Sequence, residues 1–166
     1  MDRLTPEQRS AQMSRIRGTN TRPELVVRRL VHHAGFRFRL HRRISAVAQA
    51  QARRHHPDVR LPGGKLPGRP DLVFSGQRKV VFVNGCFWHQ HGCRAGRHAP
   101  TTNAEFWARK LQTNRERDAR NHSELHELGW SVLDVWECEL EDADVVLSKL
   151  VAFLDGGVGH PGGRRR

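Results

Sequence analysis

Three stretches of this chain hold side chains that could do chemistry together. They are LPGRPDLVF around Asp71, NGCFWHQHGC around Cys86, His89, His91 and Cys93, and NRERD ending at Asp118, with Cys138 further on in VWEC. An aspartate at the mouth of a strand suits Mg²⁺, which takes oxygen ligands, keeps several waters and needs few protein groups. A cation held that way polarises a phosphate and favours hydroxide, the requirement of phosphodiester hydrolysis. Asp71 follows Pro70 and leads into the apolar run LVF, so its carboxylate is expected at a strand entrance. A second Pro-Asp pair, Pro57-Asp58, runs quickly into LPGG and cannot sustain a buried strand. Asp71 is the better candidate.

Cys86, His91 and Cys93 fall in one tight loop, and zinc prefers thiolates and imidazoles in tetrahedral sites. With Cys138 they make a Cys₃His set that uses every cysteine of the chain. Such a shell is closed to catalytic water, so a structural zinc is expected. His89 is an alternative imidazole that spacing does not exclude, and reduced cysteines without metal are the plain alternative. Phe87 and Trp88 lie between these ligands as core filler or as a wedge held out from the surface; local sequence favours core.

The elements that must position these groups follow from periodicity and caps. Thr5, Pro6 and Gln8 start a first helix over 5–17, and Thr21 with Glu24 forms a capping box for a second that stops near Gly35. Phe36, Phe38 and Leu40 alternate with Arg37 and Arg39 as in a half-buried strand. Residues 41–65 have no period and read as a loop insertion, either a basic arm or a spacer. The runs 71–74 and 79–83 flank Ser75-Gly76-Gln77-Arg78 as a hairpin. A turn centred on Gly76-Gln77 sets Asp71 opposite Phe82 and brings the backbone of Val83 and Asn84 beside its carboxylate. A helix is predicted over about 103–128, a strand over 131–136, and a last helix over 144–154. On the long helix, positions 107, 111, 114, 118, 121, 125 and 128 share a face that is apolar except for Asn114, Asp118 and Asn121. An inward carboxylate needs a partner. For Asp118 that is His89, oriented for proton transfer, or an arginine that only stabilises packing; spacing favours neither. The fold class is α/β, one domain over 1–155 with a basic tail at 156–166.

Composition limits the partners. A formal charge of +12 favours polyanions, and the positive charge is nearly all arginine, since only Lys65, Lys79, Lys110 and Lys149 are lysine. Guanidinium forks suit phosphates. No apolar run approaches the ~20 residues of a membrane helix. The start, MDRLTPEQRS, lacks the apolar core of a secretory signal, so a cytoplasmic location is expected.

The blocks RSAQMSRIRGTNTRPEL, LPGRPDLVF, VFVNGCFWHQHGC, EFWARKLQTNRERD and LGWSVLDVWEC together resemble the very-short-patch-repair (Vsr) DNA mismatch endonucleases. The resemblance covers most of the chain outside 41–65 and the tail. It implies a PD-(D/E)xK restriction-endonuclease-like three-layer sandwich. It also implies nicking of double-stranded DNA on the 5′ side of the T in a T:G mismatch left by 5-methylcytosine deamination. Asp71 and the Val83 carbonyl are implied to hold Mg²⁺, with His89 beside the scissile phosphate, Asp118 supporting it and Glu24 nearby. Cys86, His91, Cys93 and Cys138 are implied as zinc ligands. Phe87, Trp88 and Trp107 are implied as an aromatic wedge, which overturns the local preference for core, and the N-terminal helix of residues 1–20, carrying Met13, as a clamp on the other groove. Asn84 stands where some members have His, and 41–65 is longer than the family pattern needs. Expected partners are mismatched duplex, mismatch-repair proteins and a repair polymerase, with the protein a nucleoid-associated monomer. The rivals are a non-catalytic, zinc-stabilised DNA-binding module and a related nuclease without mismatch preference.

Overall fold

A computed structural model describes residues 8, 18–40, 54, 64–98 and 100–156. The expected first helix with Met13, the Pro57-Asp58 pair, nearly all of the 41–65 insertion and the tail beyond Gly156 lie outside the described residues. The elements that lie within the described residues are α1 (Arg22–His33), β1 (Leu72–Phe74), β2 (Lys79–Asn84), α2 (Ala104–Glu127), β3 (Ser131–Trp136), a 3₁₀ turn (Glu137–Glu141) and α3 (Ala143–Asp155).

Helix α1 starts where its capping box dictates. The Thr21 hydroxyl accepts from the Glu24 amide, and the Glu24 carboxylate accepts from the Thr21 amide. Val27 and Val31 point inward, while Arg22 and Arg29 are exposed. Strands β1 and β2 pair antiparallel with Leu72 opposite Val81 and Phe74 opposite Lys79. The same register carried one residue further sets Asp71 beside Phe82, as the turn length predicts. Strand β3 lies parallel to β2, from Lys79 beside Ser131 to Asn84 beside Trp136, with α2 as the crossover.

The strands sort their side chains by alternation. Leu72, Phe74, Val81 and Val135 face one side and pack with Val27 and Val31 of α1 and Val146, Leu150 and Leu154 of α3. Val73 and Val80 face the other side and pack with Leu66 and with Leu125 of α2. The result is a helix, sheet, helix sandwich in three layers. Burying each such aliphatic side chain stabilises the fold by about 1.5–3 kcal/mol.

One polar contact closes the core. Lys79 is only 3% exposed, and its ammonium donates to the carbonyls of Leu154 (3.0 Å) and Gly156 (2.5 Å). A cation at a helix C-terminus satisfies carbonyls that have no partner within the helix. Two departures from the expected elements are seen. Residues 36–40 do not form a ladder: Phe36 and Phe38 pack on the core, but only Arg39 bridges to Val73. The 3₁₀ turn carrying Cys138 has no periodic signature in ECELE and was not expected.

Replacing Lys79 by Met should cost about 1–3 kcal/mol, because two carbonyls lose their donor. Urea unfolding measures this, and a midpoint equal to the parent's removes the contact from the stability of α3.

Candidate active site and metal centre

The strand β1 stops at Leu72 on its outer end while β2 runs on to Asn84. Beyond that point β2 has no backbone partner on this edge among the described residues, and the Asp71 side chain takes the place of one: its Oδ2 accepts from the Val83 amide at 2.8 Å. The segment before it is held by close packing. A methyl on Gly68 would stand 2.9 Å from Asn121 Nδ2 and 3.0 Å from the Phe82 ring, and Gly68 has φ +69°. Only glycine fits there without strain.

Asp71 looks into an open cleft of about 970 Å³ between the sheet, the start of α1 and α2, whose walls also carry Glu24, Val83, Asn84, His89 and Asp118. Burial pushes the Asp71 carboxyl up to about 6 and the nearby Glu24 charge adds to this, whereas the Val83 amide, Arg28 and His89 act in the opposite direction. A carboxylate kept this far from water is short of positive charge, which is what a cation ligand requires.

The polar positions on the inner face of α2 grip this region. Asn114 Nδ2 donates to the Trp88 carbonyl (3.0 Å), Asp118 Oδ2 meets His89 Nδ1 (2.5 Å), and Asn121 abuts Gly68. Both partners foreseen for Asp118 are present, because Arg117 Nη2 lies 3.3 Å from the other oxygen. Burial raises the Asp118 carboxyl, but the hydrogen bond and charge of His89, and then Arg117, outweigh it and hold it below its usual value. Glu24 is 4% exposed and its oxygens are engaged near α1, with Asn20 N at 2.9 Å, Thr21 Oγ1 at 3.0 Å and Arg28 Nη2 at 2.7 Å. The capping reading thus accounts for its position, and its charge still reaches Asp71. Asn84 donates from Nδ2 to Asp134 Oδ1 at 2.9 Å. Asp134 in turn lies 3.5 Å from His122 Nε2. Neither His122 nor Asp134 was singled out from sequence, although a lone acid in the apolar run SVLDVW was a usable signal.

His91, and not His89, joins the cysteines. Ligand atoms of Cys86, His91, Cys93 and Cys138 all lie within 4.8 Å of one another. The His91 ring stacks on Trp136 at 4.4 Å, and amides of Cys138 and Gly96 donate to the sulfurs of Cys86 and Cys93, each at 3.4 Å. A methyl on Gly96 would collide with the His91 carbonyl oxygen. The Gly96 amide, then His91, lowers the Cys93 thiol to about 6, while burial pushes Cys86 up to about 12. Three sulfurs and one imidazole nitrogen are soft donors, so the set fits a transition metal and not Mg²⁺.

Phe87, Trp88 and Trp107 are half-buried and pack on one another at 5.1–6.0 Å, outside both core clusters. Phe106, 56% exposed, extends the group edge-on to Trp107. Sequence reasoning passed over Phe106.

A carboxylate and imidazole cleft on a three-layer α/β sandwich, in a chain this basic, is compatible with a nuclease. The chain belongs to the DNA mismatch endonuclease Vsr family, whose model matches residues 1–49 and 50–95. It is 43% identical over 154 residues to the Type II nicking enzyme V.XorIIP of Xanthomonas oryzae pv. oryzae, covering 93% of this chain and 97% of that one. It is 35% identical over 149 residues to the Type II nicking enzyme V.NmeAIP of Neisseria meningitidis, covering 90% and 91%. To the DNA mismatch endonuclease Vsr of Escherichia coli it is 52% identical over 81 residues, about half of each chain (49% and 51%). The chain is therefore a DNA endonuclease of restriction-endonuclease-like fold, and no helix among its described residues is long and apolar enough to cross a membrane.

Two outcomes are expected. Asp71→Asn keeps an acceptor for the Val83 amide and removes the charge. A carboxyl raised from 3.8 to about 6 loses stability as pH climbs through that window, so the variant should gain on the parent there, by about 3 kcal/mol above it in metal-free buffer. Unfolding curves across pH that run parallel for the two proteins contradict the burial cost. Cys138→Ser should leave the purified protein depleted of transition metal and less stable; metal content equal to the parent's excludes Cys138 as a ligand.

Proposed function

We propose that this endonuclease nicks one strand of duplex DNA on the 5′ side of the T in a T:G mismatch, with Mg²⁺ as catalytic cofactor and Zn²⁺ as structural metal. The observation that carries the reading is the Asp71 carboxylate, half-buried and lifted to about 6, in one cleft with the His89–Asp118 pair. Membership in a mismatch endonuclease family supports the substrate, and the name of the E. coli relative points the same way.

The Asp71 carboxylate and the Val83 carbonyl hold the catalytic cation. A strand residue's N–H and C=O point to the same edge, so the Val83 carbonyl shares the side on which its amide meets Asp71. Bound there, Mg²⁺ supplies charge to the phosphate and lowers the pKa of water. Asp118 fixes His89 through Nδ1, which leaves Nε2 to take or return a proton at the scissile phosphate. Glu24 sets the local charge through space, and Asn84 offers an amide to solvent of the reacting centre. Attack by water breaks the bond to the 3′ oxygen, leaving a 5′-phosphate and a 3′-hydroxyl for a repair polymerase. Phe87, Trp88 and Trp107 act as the wedge that unstacks the mispair, since aromatic insertion bends and opens DNA. Met13 and the N-terminal segment clamp the opposite groove. Zn²⁺ on Cys86, His91, Cys93 and Cys138 fixes the loop that carries the wedge and His89. Nicking one strand needs one active site, so the protein works as a monomer on nucleoid DNA, alongside mismatch-repair proteins.

The Xanthomonas and Neisseria relatives are named as nicking enzymes with no mention of mismatch, which favours one second reading: strand nicking without mismatch preference.

End-labelled T:G and fully paired duplexes, incubated with and without Mg²⁺, separate these. Mg²⁺-dependent cutting confined to the T:G strand supports the proposal. Equal cutting of both duplexes selects the second reading, and binding without scission leaves only a DNA-binding module. Asp71→Ala should lower the rate by at least about 1000-fold while mismatch binding persists, and unchanged nicking removes Asp71 from the mechanism.

A further inference from the structure

A second histidine–carboxylate pair stands beside the first in the same cleft. His122 lies one helical turn beyond Asp118 on α2, a spacing that puts both side chains on one face. Its Nε2 is 3.5 Å from Asp134 Oδ1, and its ring lies on Phe82 at 5.5 Å with 28° between the planes. Asp134 comes from the middle of β3, and the same oxygen accepts from Asn84 Nδ2 at 2.9 Å. Three elements therefore converge on this imidazole: β3 supplies the carboxylate, β2 the aromatic platform, and α2 the backbone. His122, Asp134, Asn84 and Phe82 all line the cleft, and the His122 side chain remains 30% exposed.

Such a ring is costly to hold in place unless its orientation matters. The sheet spends an acidic residue in an otherwise apolar strand on it, and the Asn84 hydrogen bond keeps that acid from turning away. With Nε2 directed at Asp134, Nδ1 is the nitrogen available to the cleft. We propose that His122 is a DNA phosphate-gripping residue of this cleft, distinct from His89, and that Asp134 is the positioning residue that orients it.

The charges that act on His122 agree with that role. The hydrogen bond to Asp134 raises its pKa above 6.5, burial opposes, and the charges of Asp134 from β3 and Asp118 from its own helix add to the rise. The strand β2 presents only the neutral Phe82 and Asn84. These contacts favour the imidazolium, which can meet a polyanion and is lost as pH rises through its raised value.

The inference rests on the chain acting on duplex DNA, and the test separates the two. Binding of a fluorescent T:G duplex is followed without Mg²⁺ across a salt series and a pH series. The parent should show a steep decline of log affinity with log salt; no such decline would count against DNA recognition altogether. With a steep parent, His122→Phe, which keeps the stacking volume, should flatten the slope by about one. His122→Lys should restore it. An undiminished slope in His122→Phe overturns the proposal while leaving the nuclease reading intact. Asp134→Asn keeps an acceptor for Asn84 and removes the charge, so the His122 ring should titrate lower by NMR and duplex affinity should fall away at lower pH. An unmoved ring titration with unchanged pH dependence also overturns it. A merely structural role for the pair would change unfolding midpoints but neither the salt slope nor the pH profile.

Discussion

The Val83 amide meets the Asp71 carboxylate at the point where β1 has ended and β2 continues, and this contact exists because the two strands differ in length. Had β1 run further, backbone carbonyls would have satisfied the edge of β2 and the carboxylate would have faced solvent. Instead the sheet's own need for a hydrogen-bond acceptor brings a charged group into a half-buried position. Burial works most against that charge and Glu24 adds to this, while the Val83 amide, Arg28 and His89 act in its favour, and the carboxyl still stays raised.

The inner face of α2 shows how a helix can be amphipathic in two ways at once. Its ends bury Leu111 and Leu125, which fix it against the molecule. Its middle turns Asn114, Asp118 and Asn121 toward, in order, the aromatic loop, the catalytic-candidate imidazole and the approach to Asp71. Polar groups at such positions weaken a core, so their grouping over two turns marks where packing has yielded to positioning.

Much of this geometry was legible in the sequence because it depends on short-range rules. Turn length set the register that puts Asp71 beside Phe82, the Thr21–Glu24 box set the start of α1, and helical period put Asp118 on the inner face. What escaped was set by tertiary context. Residues 36–40 alternate like a strand, yet only Arg39 finds a partner, because β1 offers just three residues to pair with. His91 rather than His89 reaches the cysteines, with its ring stacked on Trp136, which lies on a strand 45 residues further along the chain. His122 and Asp134 meet only when α2 lies across the sheet. The N-terminal segment with Met13 falls outside the described residues.

The order in which these parts leave the ribosome follows from the same topology. Asp71, Val83 and the loop from Cys86 to Cys93 are made early, whereas Asp134, Trp136, Glu137 and Cys138, which finish the cleft wall and the metal cluster, come from the last third of the chain. The parallel pairing of β2 with β3 waits for the whole of α2 to be synthesised. A nascent polypeptide therefore carries the Asp71 carboxylate without a finished cleft around it until β3 and Cys138 have been made. Translation itself thus finishes the cleft and the metal cluster only once β3 and the turn after it have been made.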